Sequence, residues 1–75
     1  MLIGMVVRDA ERLRVVEDAI AQLRAELTAL GVVLPSLRVD AVTAAGETRY
    51  PLVELGCVNL DTAMRLTAVL HGVRR

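Results

Sequence analysis

The amino-acid sequence predicts a two-layer α+β domain in the order (β)-α-β-β-α, with a long helix packed on an antiparallel β-hairpin and a short C-terminal helix. Three segments lead to this prediction. Apolar residues recur at helical spacing over residues 9–30, two apolar stretches flank a glycine-containing loop over residues 37–58, and a capped apolar stretch covers residues 60–71. One hairpin cannot bury its own apolar face, so helices must cover it or the hairpins of two copies must join. The 75 residues form a single domain.

Residues 1–8 allow two interpretations. The run Met5–Val7 favours a short strand, and Gly4 weakens a helix. Val6, however, lies seven residues before Leu13, so the long helix could begin at about residue 3. We favour the strand, because the acidic residue that follows this segment is a good helix cap.

The long helix is predicted from Asp9 to Leu30. Its apolar residues recur at alternating intervals of three and four, which keeps them on one face of the helix. They are Leu13, Val16, Ile20, Leu23, Leu27 and Leu30. Asp9 is suited to cap the first turn, and Gly31 followed by Val32 is suited to a Schellman-type stop.

The hairpin is predicted from two apolar segments. Leu37–Thr43 alternates apolar and polar residues in its first half, and Arg49–Val58 returns after the loop Ala44–Thr48. The loop holds a glycine able to adopt a positive φ, and Pro51 lacks the N–H that a central strand needs. The register that joins apolar residues on the inner face also joins opposite charges outside. The predicted pairs are Leu37 with Leu55, Val39 with Val53, and Arg38 with Glu54.

The final helix is predicted over residues 60–71. Either Asn59 or Asp61 can cap it, and Gly72 can end it. Its apolar residues cover most of its circumference, so we expect it to be buried on more than one side. The segment Asn59–Gly72 resembles the closing helices of helix-turn-helix antitoxins and phage-type repressors, in which a T-A-x-R-L-A-x-x-L-G run is common. The resemblance covers about a fifth of the chain and includes no base-reading position, so we carry no DNA-binding function over from it.

Composition points to a partner. Apolar residues make up 55% of the chain, and so small a monomer has too much surface to hide them all. We therefore expect a homodimer or a larger protein assembly that acts as an interaction or regulatory module. The candidate interface residues are Leu13, Val16, Ile20, Leu23, Leu27, Leu60, Met64, Leu66, Val69 and Leu70.

A DNA-associated role is the alternative. Arg8, Arg12 and Arg14 are candidate anion contacts, and a dimer would present two such groups as a rim. The zero net charge disfavours nucleic acid, because phosphate binding usually leaves a basic excess. No apolar run reaches the roughly 18 residues of a membrane span, and no membrane association is expected.

The sequence carries no catalytic motif. His71 is expected to be a favourable cation at a helix C-terminus, and Cys57 a small buried hydrophobe. Their separation fits no zinc pattern, so no metal, cofactor or catalytic residue is predicted. The least favoured alternative is an enzyme whose dimer interface gathers Cys57, Asn59 and Tyr50. A single cysteine allows no internal disulfide, which makes a reducing cytoplasm the expected compartment.

Overall fold

A computed structural model describes residues 2–46 and 50–74, with side chains described from residue 10 onward. The chain is α+β, with a long helix, a two-stranded antiparallel sheet and a shorter C-terminal helix. In chain order the elements are α1 (Leu2–Ala29), β1 (Arg38–Val39), α2 (Ala41–Ala44), β2 (Val53–Glu54) and α3 (Leu60–Arg74). The chain measures 49 × 22 × 17 Å, and the length is set by α1, whose 28 residues span about 42 Å.

Helix α1 begins at Leu2, so the favoured strand over residues 1–8 is wrong. A strand there would need a pairing partner, whereas extending an existing helix adds one backbone hydrogen bond for each residue ordered. The seven-residue interval from Val6 to Leu13 was the correct signal. Asp9 lies inside the helix and not at its start, so its predicted capping position is also wrong, and its side chain lies outside the described part.

The end of α1 confirms the predicted Schellman stop. Gly31 adopts φ +80°, and its N–H donates to the Thr28 carbonyl at 3.0 Å. The Val32 N–H donates to the Leu27 carbonyl at 2.8 Å, and the Val32 side chain is completely buried. These two bonds satisfy carbonyls that a helix end otherwise leaves unpaired. They also turn the chain back along the helix.

The sheet has the predicted register but is much shorter than predicted. Arg38 pairs with Glu54 and Val39 with Val53, and the Arg38 Nε donates to Glu54 Oε2 at 2.9 Å. This hydrogen bond, with the carboxylate charge, raises the pKa of Arg38 above its ordinary value. The predicted pair of Leu37 with Leu55 lies beyond the paired residues.

The predicted strand over 37–43 stops early because Asp40 caps a helical turn. Its Oδ2 accepts from the Thr43 backbone N–H at 3.1 Å and from the Thr43 hydroxyl at 2.9 Å. Such local side-chain bonds compete with the strand ladder. Thr43 in turn accepts the Leu52 N–H at 2.8 Å, which holds α2 against the returning chain. Part of the predicted loop and returning strand, residues 47–49, lies outside the described residues.

The core joins α1 to the first strand. Val16 and Ile20 of α1 form one buried cluster with Leu37, and Leu34 and Val39 pack against it partly buried. Two of the six residues of the predicted helix stripe are therefore buried against the hairpin. Burying Leu37 also buries its backbone, and a buried carbonyl without a donor is costly.

Arg24 supplies that donor. Its Nη2 donates to the Leu37 carbonyl at 2.8 Å across the junction between α1 and the start of the hairpin. The interaction joins residues thirteen positions apart in the sequence. Nothing in the periodic pattern distinguishes Arg24 from the other charged residues of α1, so this role could not be predicted from spacing.

The second half of the hairpin contacts the turn that follows α1, where Gly56 lies against Ser36. Pro35 and Ser36 form a turn closed by the bond from the Leu37 N–H to the Leu34 carbonyl at 3.2 Å. Gly56 lies against this turn with φ +79°, and a Cβ there would stand 2.3 Å from the Ser36 Cβ. Gly56 therefore combines a positive φ, which glycine adopts without strain, with a close approach that leaves no room for a side chain.

Helix α3 differs from its prediction at one end and in its burial. Asn59, one of the two predicted caps, caps the helix. Its Oδ1 accepts a hydrogen bond from the Thr62 N–H at 2.8 Å. The helix continues through Gly72 to Arg74 and does not end at residue 71. It has no buried residue, which contradicts the expected burial on more than one side within the chain.

Replacing Gly56 by Ala should lower the free energy of unfolding by about 1–3 kcal/mol, because the new Cβ combines positive φ with a clash at Ser36. Gly72→Ala is the matched control. Gly72 is helical and has open space at the Cβ position, so this change should raise stability by about 0.5–1 kcal/mol. Urea denaturation at one fixed protein concentration measures both, and equal effects would contradict the geometry.

Replacing Arg24 by Met should cost about 1–3 kcal/mol of stability, because it keeps an apolar stem but leaves the buried Leu37 carbonyl without its donor. Arg38→Met is the control, since it removes an ion pair in which the arginine is exposed. We expect a clearly smaller loss there, because solvent screens such pairs. Chemical denaturation of the two variants measures both losses of stability. A larger loss for Arg38→Met than for Arg24→Met would contradict the role assigned to Arg24.

Candidate interaction surface

One side of α3 is an apolar surface that the rest of the chain leaves uncovered. We call it the α3 face and define it by Leu60, Ala63, Met64, Thr67 and Leu70. These residues recur at intervals of three and four, so they share one side of the helix. Leu60, Met64 and Leu70 are 76%, 63% and 56% exposed. Exposure this high on three large side chains of one helix face is typical of a contact surface.

The polar groups near this face are already engaged. The Thr67 hydroxyl donates to the Ala63 carbonyl at 2.9 Å, so it is satisfied within the helix. Arg65 and Asp61 form an ion pair at 2.8 Å, four residues apart along α3. The α3 face therefore offers apolar contact with little unmet hydrogen-bonding capacity, apart from His71 and Arg74 in the last turn.

The opposite side of α3 faces the rest of the chain. Leu66 and Val69, two of the predicted interface residues, are half-buried, as is Thr62. The other α3 candidates, Leu60, Met64 and Leu70, are exposed on the α3 face. The structure thus divides the candidates of this helix into two groups that the sequence treated as one.

The candidates on α1 are placed differently. Val16 and Ile20 are buried in the chain's own core, so they are not available to a partner in this conformation. Leu13 and Leu23 border that core at 37% and 38% exposure, and Leu27 is half-buried beside the helix end. The α1 stripe packs mainly on the hairpin, which leaves α3 as the helix with an uncovered apolar side.

Arg12 and Arg14, two of the three candidate anion contacts, lie on different sides of α1. Arg12 and Arg14 are two positions apart, which turns them about 200° around the helix axis. Arg12 is half-buried and lines a cleft of about 290 Å³ together with Leu13, Thr43 and Pro51, whereas Arg14 is exposed. The side chain of Arg8 lies outside the described part.

The three residues considered for catalysis are Cys57, Asn59 and Tyr50. Cys57 is exposed and carries no disulfide, so its predicted burial is wrong. The Asn59 side chain serves as the α3 cap, and Tyr50 is 48% exposed. Among the described side chains of residues 10–46 and 50–74, no group of three or more His, Cys, Asp or Glu is placed to hold a metal ion.

The chain exposes more surface than a compact monomer of its length. The chain exposes 6264 Å², whereas a compact monomer of 75 residues exposes about 4,500 Å². Its radius of gyration is 15.4 Å, against about 11 Å for a compact domain of this length. The surplus is roughly 1,800 Å², and the uncovered sides of α3 and of the sheet contribute to it. Exposed apolar residues outside α3 include Leu52, Val53 and Leu55.

Comparison of the chain with protein-family models, with curated proteins and with solved structures finds no match. The local resemblance of Asn59–Gly72 to repressor helices gains no support from these comparisons. In the structure this segment forms a single helix that follows a hairpin, not the second half of a helix-turn-helix. In the part of the chain that the structure describes, no helix combines the length and apolar character needed to cross a membrane.

Proposed function

We propose that this protein is a small, self-associating interaction module without catalytic activity of its own, and that the α3 face belongs to its interface. The observation that carries the proposal is the surplus of roughly 1,800 Å² of surface over a compact monomer. A standard protein interface covers about 800 Å² on each partner. The surplus is therefore large enough to supply an interface of ordinary size.

The distribution of polar groups supports binding over catalysis. Acid–base or nucleophilic chemistry needs polar side chains that converge and are free to react. Here Asp40 and Asn59 cap helices, while Glu54 and Asp61 are engaged in ion pairs along the surface. The exposed thiol of Cys57 fits a reducing compartment, and we propose the cytoplasm on that ground.

Light scattering after size-exclusion chromatography at micromolar concentration tests the proposal. We expect a mass of at least two chains, because a single chain leaves the α3 face in water at a cost of about 25 cal/mol for each Å² of apolar surface. A measured mass of one chain would refute the proposal.

The double change Met64→Glu with Leu70→Glu should weaken self-association at least about tenfold, because it places carboxylates where desolvation is costly. Val42→Glu is the matched control, since Val42 is an apolar residue on α2 that is 80% exposed. Association constants come from sedimentation equilibrium, with circular dichroism to verify folding. Equal effects of the α2 and α3 variants would contradict the assignment of the interface to α3.

A further inference from the structure

We infer that two copies of the chain pair through their α3 helices in antiparallel orientation, across a twofold axis that passes beside Thr67. This inference rests on the proposed self-association and adds the orientation and register of the contact. Thr67 is the middle residue of the 15-residue helix and lies on the α3 face. A twofold interface uses the same patch on both copies, so the residue at the axis faces its own counterpart.

The side chains suit this register. With Thr67 at the axis, Met64 of one copy lies opposite Leu70 of the other, and Leu60 lies opposite the aliphatic stem of Arg74. Thr67, at the axis, is small and lets two helices approach to the usual 8–10 Å, while Ala63, four residues away, lies opposite His71 of the other copy. The Thr67 hydroxyl is bonded to the Ala63 carbonyl, so this hydroxyl keeps its partner when water leaves the axis.

Charge selects the antiparallel orientation over the parallel one. Helix α3 has an acid, Asp61, in its first turn and two basic residues, His71 and Arg74, in its last. Parallel pairing would set each basic residue against its own copy and align the two helix dipoles. Antiparallel pairing moves the two Arg74 side chains to opposite ends, since residues 60 and 74 are about 21 Å apart along the axis. It also brings each Arg74 towards the acidic end of the other helix.

The available area agrees with a second copy as the occupant. A stable twofold dimer covers about 800 Å² or more of each chain, and the chain's surplus surface is more than twice that amount. Val53 and Leu55, at 39% and 53% exposure, are further apolar residues left uncovered by the chain itself.

Single-cysteine cross-linking tests orientation and register. In a Cys57→Ser background, one cysteine is placed at Thr67, at Leu60, at Arg74 or, as a collision control, at the exposed Val42. A disulfide needs Cα atoms within about 7 Å, so mild oxidation should link the Thr67→Cys chains almost completely and the other three single variants little. The double variant Leu60→Cys with Arg74→Cys should link, because each cysteine meets the other kind across the interface.

The outcomes separate this inference from the proposed function. Strong linking by Leu60→Cys and Arg74→Cys alone would indicate parallel helices and overturn the inference. A dimeric mass by light scattering with no linking above the Val42→Cys control would also overturn it, while self-association itself would stand. A monomeric mass for the Cys57→Ser protein with no linking would refute both and would assign the α3 face to a different partner.

Discussion

The structure depends on the burial of Leu37 between α1 and the hairpin. Val16 and Ile20 remove the Leu37 side chain from water, and Arg24 satisfies its carbonyl at 2.8 Å. Apolar burial and a charge-assisted hydrogen bond thus act on the same residue, from the same helix. Without the arginine, the apolar contact would bury an unmet carbonyl. Gly56 completes the arrangement, because only a residue without a Cβ fits against Ser36.

The core joins α1 to one face of the hairpin only, and this explains why α3 has no buried residue. The core joins the middle of a helix about 42 Å long to a sheet of two-residue strands, so it cannot cover both faces of the hairpin or either side of α3 completely. Fewer apolar side chains are hidden than in a compact domain of the same length. The consequence is a chain that leaves an apolar helix face in water, which is the physical basis for proposing a second copy.

Local rules predicted much of the fold. Gly31 and Val32 form the expected helix stop, Asn59 is one of the two predicted caps, and the register pairs Val39 with Val53 as predicted. Two of the errors, at residues 2–7 and at Asp40, share one cause, which is competition between local structures of similar propensity. Residues 2–7 joined the helix, because each added helical residue forms a backbone hydrogen bond without a pairing strand. Asp40 diverted the first strand into a helical turn because its carboxylate bonds its own neighbours. For the candidate site, the apolar pattern identified α3 but could not tell which side the chain covers.

By itself, the sequence determined the helix stripe, the stop at Gly31, the register with Arg38 opposite Glu54, and an apolar content that exceeds what the chain can bury. These features are local or compositional, so spacing and chemistry suffice to predict them. Only the tertiary structure decided that Arg24 would serve the Leu37 carbonyl, that Gly56 would meet Ser36, and that α3 would keep one side exposed. Each depends on contacts between residues distant in the chain, which no periodicity encodes.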